Sequence, residues 1–442
     1  VRGAGLAVVR SRSVVSAAVV VLGIPVTAWA AAEAPSRAGA ILFGVALLVV
    51  GAKLGGIVAE RWGQPPVLGE LLAGIAAGNL LPPLFGESGI AFVREDPTLH
   101  VLAEIGVLVL LFDVGLEADL RALLRVGPSA ALVAVIGVAI PFALGWGTAR
   151  WLLPEAAPLA HLFVGATLTA TSVGITARVL KDLGSLQTRE GQIILGAAVL
   201  DDILGLVVLA VMSGLVTATA TGGPGLSGLA VAVIVLKAFL FLGVTIGLGH
   251  HLSGPIVRLA GRTGHPEMLL VFGMAICFTL AFVAERIGLA GIVGAFAAGL
   301  LLDPYGEGVR TSAEKATLAE LLHPLSSLFV PLFFVLMGIQ VDVWTLLTPQ
   351  SLGFGVALVL AAVAGKLACA AGVIGRGVDR LAVGFGMVPR GEVGLIFAGI
   401  GAALMLGDRP LLSQAAFSAL VLMVVVTTLL GPVGLRRRLK PS

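Results

Sequence analysis

Thirteen apolar runs follow one another along the chain, at about residues 37–60, 66–85, 98–118, 127–152, 158–180, 191–217, 226–250, 265–286, 288–302, 323–344, 351–376, 380–406 and 410–434. The hydrocarbon core of a bilayer takes about 20 helical residues to cross, and only helices or closed barrels satisfy their backbones inside it. Runs of this length and number imply an all-α polytopic membrane protein with about thirteen transmembrane helices. The ninth, 288–302, is short enough to be a half-span or a steep helix. Composition agrees: 58% of residues are apolar and 12% charged, against roughly 25% charged in soluble domains.

Several function classes lose support at once. A formal charge of +3 gives no reason to expect a nucleic-acid partner. Cys277 and Cys369 lie inside apolar runs, away from any CxxC or ligand-spaced histidine, so neither a disulfide framework nor a zinc site is indicated. The six histidines fall near predicted helix ends and form no HExxH pattern. Without a nucleophile–base pair or a metal motif, the chain does not read as an enzyme, and no cofactor is expected.

Residues 1–36 carry Arg2, Arg10 and Arg12, an apolar core from Val14 to about Ala28, and then Ala28-Trp29-Ala30. That is the layout of a signal peptide, with an uncleaved extra helix as the alternative. Basic residues in the loops set the orientation. Arg61, Arg121, Arg125, Arg178, Lys181, Arg189, Arg258, Arg262, Arg310, Lys315, Arg376, Arg380 and the tail's Arg436, Arg437, Arg438 and Lys440 occupy one set of alternate loops. The other set holds Arg94, Arg150, Arg286 and Arg409. Sixteen against four puts the C-terminus, with a basic tail at 435–442, in the cytoplasm. The expected location is the bacterial inner (plasma) membrane. Residues 312–322 have helical spacing among charges and read as an amphipathic connector on that side.

The sixth run contains two adjacent carboxylates, Asp201 and Asp202. At membrane depth each costs at least ~2.5–3.5 kcal/mol on insertion scales. Neighbours on a helix point about 100° apart, so one can face a water-filled pathway while the other faces a protein partner. The functional reading is that Asp202 binds a small cation or a proton and a buried base holds Asp201. The bland reading is that the pair neutralises one buried Lys or Arg. Lys366, near the middle of the eleventh run, is the best-placed base; Lys53 and Lys237 compete.

The two halves echo each other. Gly69-Glu-Leu-Leu-Ala-Gly74 matches Gly294-Ala-Phe-Ala-Ala-Gly299 at an offset of 225, and the stretch around Gly115 matches that around Gly338 at 223. Ser172-Val-Gly174 matches Glu392-Val-Gly394 at 220. The matched runs are seven apart, an odd number, so the halves sit upside down relative to each other. The units are 37–217 and 265–434, with 226–250 as the linker. Inverted repeats of this kind place a transport site where interrupted helices meet at the midplane. The candidates for interruption are the fifth run, at Thr171-Ser172-Val-Gly174, and the twelfth, where Pro389 removes a backbone donor beside Arg390, Gly391 and Glu392.

Taken in order, Gln64-Pro-Pro-Val-Leu-Gly-Glu70, Leu111-Phe-Asp-Val-Gly-Leu-Glu117, Thr171-Ser-Val-Gly-Ile-Thr-Ala-Arg178, Asp201-Asp202, Gly365-Lys366 and Pro389-Arg-Gly-Glu-Val-Gly-Leu395 resemble the motifs of the second monovalent cation:proton antiporter family, over about residues 37–434. The resemblance implies that Asp202 carries the transported Na+ (or K+) or the proton and that Asp201 pairs with Lys366. It places Thr171 and Ser172 beside the ion site and Arg390 and Glu392 in a buried charge network. It also implies an elevator-type homodimer in the lipid bilayer, with helices four to six and eleven to thirteen as the moving core. Sodium/proton exchange, electrogenic through Lys366, is the leading expectation. Potassium/proton exchange is the alternative; a gated cation channel or an organic-anion symporter on a related fold stands further off.

Overall fold

The computed structural model describes residues 37–85, 93–117, 127–220, 228–262, 265, 267–302, 317–375, 377–407 and 409–439; the expected signal peptide, residues 1–36, lies outside them. The first series of helices is α1 (Arg37–Arg61), α2 (Pro66–Phe85), α3 (Pro97–Glu117), α4 (Pro128–Leu152), a helix in two pieces, α5 (Pro158–Thr167) and α6 (Val173–Asp182), and α7 (Arg189–Ala220). After α8 (Gly228–Arg262) the second series begins with α9 (Glu267–Arg286), α10 (Gly291–Leu302), α11 (Leu318–Gln340), the short α12 (Val343–Leu346) and α13 (Pro349–Ala368). It closes with another helix in two pieces, α14 (Arg380–Gly386) and α15 (Gly391–Ala403), and with α16 (Gln414–Arg438). An antiparallel ribbon of β1 (Met405–Leu406) and β2 (Arg409–Pro410) joins α15 to α16. Among the described residues, nine helices are long and apolar enough to cross a membrane, and four apolar helices are shorter.

Local chemistry explains where these helices start. Proline occupies the first turn of α4, α5 and α13, where its missing N–H costs nothing. Asp379 and Ser413 accept from the third residue of α14 and α16. Thr317 and Glu320 form a reciprocal capping box, so α11 begins at Leu318. This corrects the expected surface connector: residues 318–322 are the first turn of α11, while 312–316 lie outside the described residues. At the other end, residues 435–438, expected as tail, continue α16, and Arg438 Nη2 lies 2.9 Å from Asp379 Oδ2. The ninth run forms α10, whose 12 residues, all buried except Gly291, reach only about 18 Å.

Glycine contacts register the inverted repeat. A Cβ on Gly74 of α2 would come within 2.9 Å of the Gly338 Cα on α11, and a Cβ on Gly115 of α3 within 3.0 Å of the Gly299 Cα on α10. The sequence offsets pair Gly74 with Gly299 and Gly115 with Gly338, so exchanging the two halves turns one contact into the other. Gly69, which packs on Ala59 of α1, has its counterpart in Gly294, which packs on Ala281 of α9. Small residues let these backbones approach where lipid supplies no hydrophobic drive to hold helices together. Gly74→Val and Gly299→Val should each lower stability by ~1–3 kcal/mol through overpacking. Gly147→Ala, at a helical position with nothing within 4 Å, should not lower it; thermal unfolding in detergent measures all three.

Candidate functional site

Asp201 and Asp202 lie in the middle of α7, Asp201 only 1% exposed and Asp202 half-buried. From α13, Lys366 Nζ donates to Asp201 Oδ1 at 2.9 Å, with both side chains wholly buried. The second carboxylate oxygen, Asp201 Oδ2, meets no hydrogen-bond donor among the described residues. Helix α4 passes over the pair at Gly137, where a Cβ would lie 3.6 Å from Lys366 Nζ and 3.8 Å from Asp201 Oδ1. The competing bases go elsewhere. Lys53 Nζ is 3.7 Å from Glu70 Oε1, and Lys237 Nζ donates to the Ile287 carbonyl at 3.3 Å.

Beside this pair the two interrupted helices cross. Residues 168–172 connect α5 to α6, and residues 387–390 connect α14 to α15. The Ser172 N–H donates to the Pro389 carbonyl at 2.8 Å. Thr171 Oγ1 donates to the Met387 carbonyl at 3.4 Å, and Thr176 Oγ1 to the Gly386 carbonyl at 2.7 Å. Each broken helix therefore satisfies part of the other's exposed backbone, as irregular backbone at membrane depth requires. Gly391 has φ +46°, and a Cβ there would meet the Ser172 Cβ at 2.6 Å, so the close approach and the left-handed turn both call for glycine.

Arg390 is fully buried at the same crossing. Its Nη1 donates to the carbonyls of Leu168 and Ala170, the latter at 2.7 Å, and its Nη2 to the Ala362 carbonyl at 3.1 Å. The guanidinium thus sits at the C-terminal end of α5, where the last carbonyls of a helix lack intrahelical donors and carry partial negative charge. The bonds described for Arg390 run to main-chain carbonyls; the side chain of Glu392, its expected companion, lies outside the described residues. Sequence reasoning missed this carbonyl-capping role. The signal was available, because the offset of 220 sets Arg390 against Ala170, the residue whose carbonyl it holds. Outside the spanning helices, Asp342 caps α12. Partial burial pushes its carboxyl up, but hydrogen bonds from Thr345 and the charge of Arg94 outweigh this and hold it below the usual carboxylate range.

A buried acid–base pair next to a half-buried acid, where interrupted helices from inverted repeats cross, defines the architecture of a secondary transporter. Residues 44–440 match the family described as sodium/hydrogen exchanger, transmembrane, and the chain belongs to that family of integral membrane proteins. It is similar to the high-affinity Na+/H+ antiporter NhaS3 of Synechocystis, at 38% identity over 91% of this chain and 90% of that protein. It is also similar to the Na+/H+-K+ antiporter GerN of Bacillus cereus, at 34% identity over 88% and 94%. The fold resembles that of the sodium proton antiporter MjNhaP1 of Methanocaldococcus jannaschii, with a TM-score of 0.65 and 18% identity over 90% of this chain and 96% of that one.

Breaking the buried pair from one side leaves an uncompensated charge. Lys366→Met should therefore cost ~3–5 kcal/mol of stability. Adding Asp201→Asn to that variant should recover most of the loss, because the stranded charge goes with it. Thermal unfolding of the two variants in detergent reads the difference.

Proposed function

We propose that the protein is a secondary active antiporter that exchanges sodium ions for protons across the membrane, with Asp202 as the alternating carrier. The observation that carries this reading is the Lys366–Asp201 pair, 2.9 Å apart and fully buried, one residue from a half-buried second carboxylate. Asp201 serves the lysine; Asp202, on another face of α7 and half-buried, is the one that alternates between cation and proton. Helix α7 packs against α5, α6 and α14, which brings the crossing to its side. Thr171 and Ser172 at that crossing supply oxygen ligands of the kind a hard monovalent cation takes. NhaS3 and the Enterococcus hirae relative, 32% identical over 88% of this chain, are Na+/H+ antiporters, which supports sodium as the cation. Potassium is the second reading, favoured by the name of GerN.

In this reading α4–α7 and α13–α16 form a core that moves as an elevator against α1–α3 and α9–α11, which serve as the dimer scaffold, with α8 between them. The C-terminal end of α16, with its three arginines, faces the cytoplasm of a bacterial inner membrane. The transport cycle follows from charge. With Asp202 protonated and Asp201 paired to Lys366, the pocket carries little net charge. A cation arriving at Asp202 takes the place of its proton, and it draws on Asp201 through the oxygen Oδ2 that Lys366 leaves untouched, in competition with the lysine's charge. Release of the lysine proton relieves that repulsion, so the protons of Asp202 and Lys366 both leave as one cation binds. More protons than cations then move per cycle.

Asp202→Asn should abolish cation-driven proton movement in vesicles while the protein stays folded, since an amide fits the space but cannot alternate between proton and cation. Internal pH, followed while sodium, potassium or lithium is added outside, reads this variant and the ion preference together; wild-type-like exchange by the variant would rule out Asp202 as carrier. In the wild type an imposed membrane potential should shift the ion ratio at which flux stops, and surviving transport in Lys366→Gln should lose that shift. A wild type indifferent to voltage would make Lys366 a structural counter-ion only.

A further inference from the structure

A crevice of about 80 Å3 opens at the arginine-rich end of the bundle, between the turn that links α1 to α2 and the helices α6 and α16. Its walls are Trp62 on one side and Ile175, Val179, Leu429 and Val433 on the other, and Arg436 stands at its rim. Trp62 is 78% exposed, and Val433 and Leu429 are also open, so the apolar walls continue onto the outside of the bundle, where acyl chains lie. Helix α16 ends in Arg436, Arg437 and Arg438, with Arg61 exposed at the facing end of α1. Of the three, Arg436 is the one that borders the crevice.

An apolar slot that runs into a basic rim at the membrane surface has the chemistry of one class of ligand. We propose that an anionic phospholipid of that leaflet binds here, with its phosphate on Arg436 and part of an acyl chain between Trp62 and the Val179–Val433 wall. The slot is too small for a whole chain, so the rest of the lipid lies along the exposed face of α16 at Leu429, Leu430 and Val433. Trp62, an amphipathic ring at interface depth, fits the boundary between head group and chain. The crevice also lies on the seam between α1–α2 and the proposed moving helices. A lipid seated in it must shift whenever the seam slides, so its occupancy sets the exchange rate. That second clause rests on the elevator reading; the binding does not.

The test uses the purified full-length chain. In detergent, added phosphatidylglycerol should raise the midpoint of thermal unfolding more than phosphatidylcholine does, and Arg436→Gln should need about fivefold more phosphatidylglycerol for the same rise. Arg437→Gln removes the same charge one residue away and should behave as wild type. Equal weakening in both variants would mean diffuse surface attraction and no site, and so would a wild type that responds alike to the two lipids. In vesicles, Arg436→Gln should exchange ions at the wild-type rate in phosphatidylcholine and lose the change in rate that phosphatidylglycerol produces in wild type. Exchange missing from every vesicle, with lipid binding intact in detergent, would overturn the antiporter reading and leave the lipid site standing.

Discussion

The hydrogen bond from the Ser172 N–H to the Pro389 carbonyl, at 2.8 Å, is the smallest piece of the structure on which the rest depends. Backbone that leaves helical geometry inside a bilayer has no water to turn to, and each unsatisfied group costs several kcal/mol. Two broken helices solve the problem for each other, provided they cross at their breaks. Once that crossing is fixed, α7 and α13 must come in beside it, and their polar residues, Asp201 and Lys366, meet in a volume with no solvent to separate them. The ion pair is thus a consequence of where the backbone is broken. Its strength in turn holds α7 and α13 at the spacing that leaves Asp202 half-buried next to the crossing.

Much of this was legible in the residues because membranes leave so few options. Helix number, the two interruptions and the upside-down halves follow from run length, from Pro389 and Gly391, and from three offsets that nearly agree. Lys366 can be picked as the base for Asp201 because it lies near mid-span in a run that should cross the sixth, and the family resemblance implies the pairing. Boundaries were less legible. Hydropathy does not register the Thr317–Glu320 capping box, so the first turn of α11 was taken for a surface segment; arginines at 436–438 read as tail although they continue α16. The carbonyl contacts of Arg390 are not legible in the sequence, for a physical reason. A buried guanidinium suggests a carboxylate partner, whereas the donors described for it meet main-chain carbonyls, which no side-chain pattern records.

The same physics separates the parts of the chain that are fixed from those that can vary. Gly74 against Gly338 and Gly115 against Gly299 are contacts between backbones, with no side chain to adjust. Helix α8, by contrast, leaves Leu229, Leu236, Phe239 and Leu240 exposed among the described residues. Between these extremes lies the seam along α6 and α16, where apolar packing is incomplete and a basic rim borders it.

Arg390 lies where the two halves meet, and it holds the carbonyl of Ala170, its own counterpart under the repeat. At such a position a faithful duplicate is excluded: guanidinium in both halves would set two buried cations face to face, and alanine in both would leave the carbonyls of Leu168 and Ala170 without these donors. The halves therefore have to differ at their axis. Two like units thus become unlike where they meet, one half supplying the cationic clamp and the other the surface that is clamped.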